Sequence, residues 1–148
     1  MTSETGTVST LDVSRVINAP RERVFEAWTN PGQLKAWFGP GTCSAKDVSI
    51  DLRIGGAYSI KVTDEDHGEC EVVGTYKEIT APERLVFSWR WLHESEGIPA
   101  STVTVDFMDQ DGATEVRIRH EGLASAEGAE EHRKGWTGCL VCLEEHLS

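Results

Sequence analysis

The stretch AEGAEEHRKGWTGCLVCLEEHL, residues 126–147, decides the fold. Trp136, Leu140, Leu143 and Leu147 recur at intervals of three or four residues, so they predict one apolar stripe along a helix. At about 1.5 Å per residue this helix is about 30 Å long, which is enough to cross a β-sheet. An apolar stripe has to be buried against another element. We therefore expect this helix to cover a sheet formed by the sequence before it.

Six strand-like runs supply that sheet. The run at 84–91 is the clearest, because Leu85, Phe87, Trp89 and Trp91 alternate with more polar residues and so share one face. Successive runs are separated by short turns, which predicts an antiparallel sheet with one packed face and one exposed face. The six predicted strands are residues 45–52, 57–63, 69–79, 84–91, 101–108 and 114–120.

The sequence before residue 45 predicts one further strand and two short helices. The strand is Leu11–Asn18, in which Arg15 shares the parity of the apolar residues and is unexplained. The helices are Arg21–Thr29 and Gln33–Phe38. One strand, two short helices, six strands and a long helix make an α+β protein. We expect a disordered tail at 1–9 and a single domain at 10–148.

The composition narrows the possible partners and the location. The 148 residues carry a net charge of −11, which disfavours binding to nucleic acid and to anionic membranes. No apolar run is long enough for a transmembrane helix, and the N-terminus lacks the pattern of a signal peptide. The sequence therefore predicts a cytoplasmic protein, and nothing in it calls for a cofactor.

Several motifs together resemble a known family. They are RVINAPRERVFEAWTNPGQLKAWFGP at 15–40, DLRIGGAY at 51–58, GTYKEITAPERLVFSW at 74–89, VTVDF at 103–107, RHEGL at 119–123 and GW at 135–136. The chain resembles the START-like (SRPBCC) superfamily, and within it the single-domain proteins named after the activator of the Hsp90 ATPase. The resemblance implies a helix-grip fold, in which a curved antiparallel sheet wraps a long C-terminal helix and leaves a cavity between them. It implies no common set of catalytic residues.

Our first functional hypothesis is that the protein binds a small apolar or aromatic ligand in this internal cavity. It predicts a closed cavity of about 300 Å³ or more beside Trp136. The residues expected at that cavity lie on the inferred inward faces of the strands and helices, where ordinary core packing is the alternative for each. They are Trp37, Tyr58, Tyr76, Phe87, Trp89, Trp91, Phe107, His120, Trp136, Cys139 and Leu140.

Two other functions stay open. In an enzyme similar to polyketide cyclases or hydro-lyases, His120 would act as acid or base, because it shares a face with Val116 and Ile118 and imidazole titrates near neutral pH. The alternative for His120 is a core histidine bonded to neighbouring groups. A module that contacts a chaperone is the third function, by analogy with the Hsp90 activator, although we do not expect a chaperone partner. An edge strand such as Leu11–Asn18 could pair in a homodimer.

Two short motifs have simpler explanations than a site. Cys139-x-x-Cys142 lies within the predicted helix, where residues three apart are neighbours, so the thiols could share a metal with a histidine. Buried free cysteine acting as a small apolar residue explains the pair better, and we predict no metal site. Gly55-Gly56 lacks the lysine and spacing of a phosphate-binding loop, so we expect a turn or bulge there.

Overall fold

The strands and helices follow one another in the order that the sequence predicts. The computed structural model describes residues 9–39, 43–64, 68–92, 100–123 and 125–147. The elements are β1 (Ser9–Ile17), α1 (Arg21–Thr29), α2 (Pro31–Trp37), β2 (Cys43–Ile50), β3 (Ala57–Asp64), β4 (Gly68–Thr80), β5 (Arg84–Trp91), β6 (Ser101–Gln110), β7 (Ala113–Leu123) and α3 (Ala126–Leu147). The predicted disordered tail lies outside the described residues except for Ser9, which begins β1.

The seven strands form one antiparallel sheet in the order β1-β7-β6-β5-β4-β3-β2. The strands from β2 to β7 are each paired with their neighbours in sequence, whereas β1 pairs with the last strand. Irregular pairing between Tyr76 and Glu78 in β4, and between Ala45 and Asp47 in β2, bends the sheet. The long helix α3 lies against the sheet, so the α+β helix-grip architecture is confirmed.

The cover of the sheet is shared by three helices rather than formed by α3 alone. The stripe of α3 is buried as predicted, and Trp136, Leu140, Leu143 and Leu147 are each at most 3% exposed. This helix packs mainly against β1 and β7, while α1 packs on β6 and β7 and α2 packs on β2 and α3. The two short helices therefore bring their own apolar side chains over the middle of the sheet. Within the described ranges, no helix combines the length and apolarity needed to span a bilayer.

Arg15, which was unexplained by the alternation of β1, bonds to α3. Its Nε and Nη2 atoms donate to Oε1 of Glu144 at 2.9 and 2.7 Å. The position shares the face of Leu11 and Ile17, but it lies at the edge of the sheet where α3 passes. Because both side chains keep contact with water, the ion pair adds little to stability and mainly aligns β1 with α3.

Two glycines allow the sheet to bend. A Cβ at Gly74 would overlap the backbone oxygen of Ser88 and would lie 2.6 Å from the Tyr58 ring, so β4 can approach β5 here only without a side chain. Gly55 has a φ of +83° in the turn between β2 and β3, and its N–H donates to the Tyr76 carbonyl at 2.8 Å. The predicted turn at Gly55-Gly56 is confirmed.

Candidate ligand-binding site

All five tryptophans of the chain form one continuous series of ring contacts, which we call the tryptophan chain. It runs from Trp37 on α2 to Trp28 on α1, then to Trp136 on α3 and to Trp89 and Trp91 on β5. Successive ring centroids are 5.0, 5.9, 4.9 and 5.6 Å apart. The tryptophan chain therefore joins all three helices to the sheet through aromatic contacts.

A small inner space lies beside the middle of the tryptophan chain, between the sheet and the helices. Its volume is about 20 Å³, which is room for about one water molecule. It is lined by Trp28, Leu34, Phe38, Tyr58, Ile60, Tyr76, Leu85, Phe87, Trp89 and Trp136. The predicted cavity of about 300 Å³ beside Trp136 is therefore wrong for this conformation. The physical reason is that Trp28 of α1, Leu34 of α2 and Phe38, which directly follows α2, fill the space under the sheet.

The indole N–H groups of the tryptophan chain divide into two sets. Three of them donate to protein acceptors: Trp37 to the Ala27 carbonyl at 2.9 Å, Trp91 to His132 Nε2 at 3.2 Å, and Trp136 to His120 Nδ1 at 3.1 Å. The other two, on Trp28 and Trp89, are buried and have no partner among the described residues. Both of these tryptophans line the inner space. A buried indole N–H usually finds an acceptor, and one without an acceptor costs about 1–3 kcal/mol. An acceptor within reach of Trp28 or Trp89 would therefore be stabilising.

His120 is held by protein groups on both sides of its ring. An indole N–H can only donate, so Trp136 makes Nδ1 of His120 an acceptor and leaves the proton on Nε2. That proton is donated to Ser101 Oγ at 2.6 Å, and the Ser101 hydroxyl donates in turn to the Trp89 carbonyl at 3.1 Å. His120 is fully buried, and burial, together with the neighbouring His132, lowers its pKa to about 3. His120 is therefore a neutral core histidine at physiological pH.

This geometry does not favour the enzyme hypothesis. A general base needs a ring nitrogen that can reach the substrate, but both nitrogens of His120 are bonded within the protein. The short contact with Ser101 is also not a nucleophile pair, because the proton runs from the imidazole to the hydroxyl. His120 fixes the positions of Trp136 and Trp89 at one end of the inner space.

A second and larger space lies on the surface beside the first. This groove has a volume of about 400 Å³ and runs between α2, the start of β2 and the last turns of α3. It is lined by Lys35, Ala36, Trp37, Phe38, Gly39, Ser44, Ala45, Cys142, Glu145 and His146. Phe38 belongs to both linings, and its ring lies 6.5 and 6.3 Å from the rings of Trp89 and Trp136. Its side chain therefore forms part of the wall between the groove and the inner space.

The structure distributes the predicted site residues over three places. Five line the inner space: Tyr58, Tyr76, Phe87, Trp89 and Trp136. Trp37 lines the groove. The remaining five pack around these spaces without lining either: Trp91, Phe107, His120, Cys139 and Leu140. Phe107 is covered by Phe25 and Trp28, and Leu140 lies in the buried stripe of α3.

Five residues that line the inner space are not among those predicted from the sequence, namely Trp28, Leu34, Phe38, Ile60 and Leu85. Leu85 and Ile60 could have been included from the alternation alone, because they share strand faces with Phe87 and Tyr58. The three residues from α1 and α2 carried no such signal, because helical periodicity does not say which element a helix covers.

The two cysteines of α3 have different surroundings. Cys139 is buried within the helix contact, and Cys142 is half-buried with Sγ 3.9 Å from the Gly39 carbonyl. Burial and the neighbouring Glu145 raise the pKa of the Cys142 thiol. Among the described residues, no three potential ligands gather in a way that could hold a metal ion.

A curved antiparallel sheet that holds a long helix, with aromatic side chains between them, defines the START-like helix-grip class. The sequence of residues 18–148 matches the family described as activator of Hsp90 ATPase homolog 1-like protein, so the chain belongs to that family. Proteins with this fold commonly bind hydrophobic ligands. None of the curated proteins matches the chain at a significant level.

Solved structures similar to this chain come from several bacteria. A protein from Chromobacterium violaceum is 28% identical with a TM-score of 0.84, and the match covers 93% of this chain and 96% of that one. A protein from Rhizobium leguminosarum is also 28% identical, with a TM-score of 0.81 and coverage of 95% and 94%. A protein of the same family from Silicibacter pomeroyi is 23% identical, with a TM-score of 0.80 and coverage of 94% and 97%, and shows the shared fold.

Proposed function

We propose that this protein binds a small aromatic or apolar molecule that carries a hydrogen-bond acceptor, between the sheet and α3. One observation carries the proposal. Of the five indole N–H groups in the tryptophan chain, two have no acceptor among the described residues, and they belong to Trp28 and Trp89, which both line the inner space. A carbonyl or ether oxygen placed there would accept from an indole and remove the cost of a buried unpaired donor.

The electrostatics of the inner space favour a neutral ligand. Among the described residues, its lining contains no charged side chain, and its two phenols stay protonated. Burial, with the neighbouring Tyr76, raises the pKa of Tyr58 well above its ordinary value, and burial raises the pKa of Tyr76 to about 12. The Tyr58 hydroxyl is occupied, because it donates to the Ser88 carbonyl at 2.6 Å. A charged group would lose its hydration here without a compensating partner.

Binding has to enlarge the inner space. A volume of about 20 Å³ holds one water, whereas sites for small organic ligands usually measure about 300–1,000 Å³. The ligand must therefore displace aromatic side chains, and part of its binding free energy is spent on that movement. We accordingly expect modest affinity for a simple aromatic molecule.

The test uses the five indole N–H resonances of ¹⁵N-labelled protein in a titration with acetophenone and with ethylbenzene. These compounds have similar size, but only acetophenone carries an acceptor. We expect acetophenone to shift the Trp28 and Trp89 resonances most, because those donors gain a bond, while the bonded indoles change less. We also expect acetophenone to bind more tightly by about fivefold or more, since one buried bond contributes about 1 kcal/mol.

Two variants on one strand provide the matched control. Trp89→Phe keeps an aromatic ring but removes one unpaired donor, so it should reduce the preference for acetophenone. Trp91→Phe removes the donor that already bonds to His132, so the preference should stay. Equal affinity for both compounds in the unmodified protein, or shifts confined to Trp37 and Trp91, would refute the proposal.

The remaining expectations about context stay predictions from the sequence. These are the cytoplasmic location, pairing in a homodimer and the lack of a chaperone partner. The site favours neither the cyclase-like enzyme nor the chaperone-binding module over ligand binding.

A further inference from the structure

We infer that the Phe38 side chain is a gate between the groove and the inner space, and that the natural ligand extends across it. Its neutral aromatic head would lie against Trp89 and Trp136, where the Phe38 ring now packs. Its polar tail would lie in the groove. The inference rests on the proposed function and adds to it the route of entry and the chemical class of the ligand.

The backbone around Phe38 is held by hydrogen bonds on both sides, so a movement at this position falls to the side chain. The Phe38 N–H donates to the Leu34 carbonyl at 2.9 Å, and the Phe38 carbonyl accepts from the Ala45 N–H at 3.3 Å. Among the described residues, the ring contacts Trp37, Trp89 and Trp136 in tilted or edge arrangements, at centroid distances of 5.9, 6.5 and 6.3 Å. Rotation about the side-chain bonds is therefore the movement that opens the wall without disturbing α2 or β2.

A rotation of the Phe38 side chain would join the two spaces that lie on either side of it. The inner space holds about 20 Å³ and the groove about 400 Å³. Neither alone suits a small organic ligand that must be enclosed, because the first is too small and the second is open at the surface. Joined through the position of Phe38, they reach the usual size of a ligand site, with an enclosed aromatic end and a polar end.

The groove lining gives the chemistry of the tail. The described part of the lining carries one lysine and one glutamate, Lys35 and Glu145, whose formal charges balance. The hydroxyl of Ser44, the protonated thiol of Cys142 and the imidazole of His146 supply further polar groups. A neutral tail with hydroxyl, amide or ether groups fits this lining. A carboxylate tail would be repelled by the protein's net charge of −11.

The gate is tested by stopped-flow fluorescence with 6-propionyl-2-(dimethylamino)naphthalene, a neutral aromatic ketone whose emission shifts in apolar surroundings. Phe38→Ala removes the gate, so the rate and the affinity of binding should both rise by about tenfold to a hundredfold. This factor corresponds to the free energy of moving a buried aromatic ring into water, which binding to the variant no longer requires. Phe38→Leu should give an intermediate change and serves if the alanine variant folds poorly. Phe25→Ala is the matched control, because Phe25 is as buried as Phe38 at 8% exposed and lines neither space.

The tail is tested with acetophenone and 4-(3-hydroxypropyl)acetophenone. The hydroxypropyl compound should bind the unmodified protein about threefold to tenfold more tightly, which corresponds to one additional hydrogen bond. Ser44→Phe places a large side chain in the groove and should abolish that advantage, so that the two ketones then bind with similar affinity.

The outcomes separate the two levels of inference. If the ketones bind but Phe38→Ala and Phe25→Ala change the rates equally, the gate is wrong and ligand binding stands. A second outcome concerns the tail. If Phe38→Ala speeds binding but the hydroxypropyl group gives no advantage, or Ser44→Phe weakens the binding of both ketones equally, the inference that the ligand extends into the groove is wrong. If no ketone binds the unmodified protein or the Phe38 variants, both the gate and the proposed function are wrong.

Discussion

The stability of the protein should fall in mild acid because of one buried histidine. His120 has a pKa of about 3 in the folded protein and 6.5 as its ordinary value. The unfolded chain therefore binds a proton on this group more readily than the folded protein does. The stability that depends on neutral His120 is fully present above pH 6.5 and is lost as the pH falls towards 3.

The size of the effect follows from these two values. Protonation of His120 in the unfolded chain lowers the free energy of unfolding by about 2.7 kcal/mol at pH 4.5 and by about 0.2 kcal/mol at pH 7. His120 alone should therefore lower the free energy of unfolding by about 2.5 kcal/mol between pH 7 and pH 4.5. That is a large share of the stability of a typical domain, which is about 5–15 kcal/mol.

The assay is urea unfolding, followed by tryptophan fluorescence, of the unmodified protein and of His120→Gln and His120→Leu at several pH values. Both variants lose contacts at pH 7 but cannot titrate at this position. The stability gap between each variant and the unmodified protein should therefore narrow by about 2.5 kcal/mol at pH 4.5, by the same amount for both. Carboxylates elsewhere titrate in all three proteins and cancel in the difference. Parallel stability curves for the three proteins would show that the folded protein does not hold His120 neutral.

Three further substitutions test the packing of the protein. Gly74→Ala should destabilise the protein by about 3 kcal/mol or more, because the added Cβ overlaps the Ser88 carbonyl, whereas Gly135→Ala on α3, where a Cβ meets nothing within 4 Å, should stabilise it by up to about 1 kcal/mol. Ser101→Ala leaves the Nε2–H of His120 without its acceptor and should cost about 1–3 kcal/mol. All three effects are measured by chemical unfolding at pH 7.

Each of these substitutions has an outcome that contradicts it. If Gly74→Ala and Gly135→Ala shift the unfolding midpoint by similar amounts in the same direction, the close approach of β4 to β5 is not as described. The neighbour Thr102 is the control for Ser101, because its side chain lies on the other face of β6. If Thr102→Ala costs as much as Ser101→Ala, the hydrogen bond to His120 has no special weight.

The strands were predictable because each carries a local signal. In the run at 84–91, alternation placed Leu85, Phe87 and Trp89 on the buried face. Because side chains alternate with a period of two, a strand with one packed side can bury only one of its two sets of residues. The stripe of α3 was predictable for the same reason at a period of 3.6. Arg15 broke the alternation of β1, and only the position of Glu144 on α3 explains it.

The content of the inner space was not predictable from these local signals. Whether a sheet and a helix leave a cavity depends on how much volume other side chains place between them. The sequence shows that Trp28 and Phe38 are apolar, but their positions over the sheet depend on how the two short helices turn after β1. The tautomer of His120 was equally hidden, because it depends on Trp136, a residue in a different element.

The pairing of β1 with β7 has a consequence for how the chain folds. Every other strand pairs with a neighbour in sequence, but Asp12 on β1 bonds to Arg119 on β7, 107 positions away. During synthesis β1 is made first, and it cannot form its native pairing until β7, the last strand, has left the ribosome. Closure of this long loop should therefore be a late and slow step of folding, and until it occurs both β1 and the free edge of β7 are open to pairing with other chains.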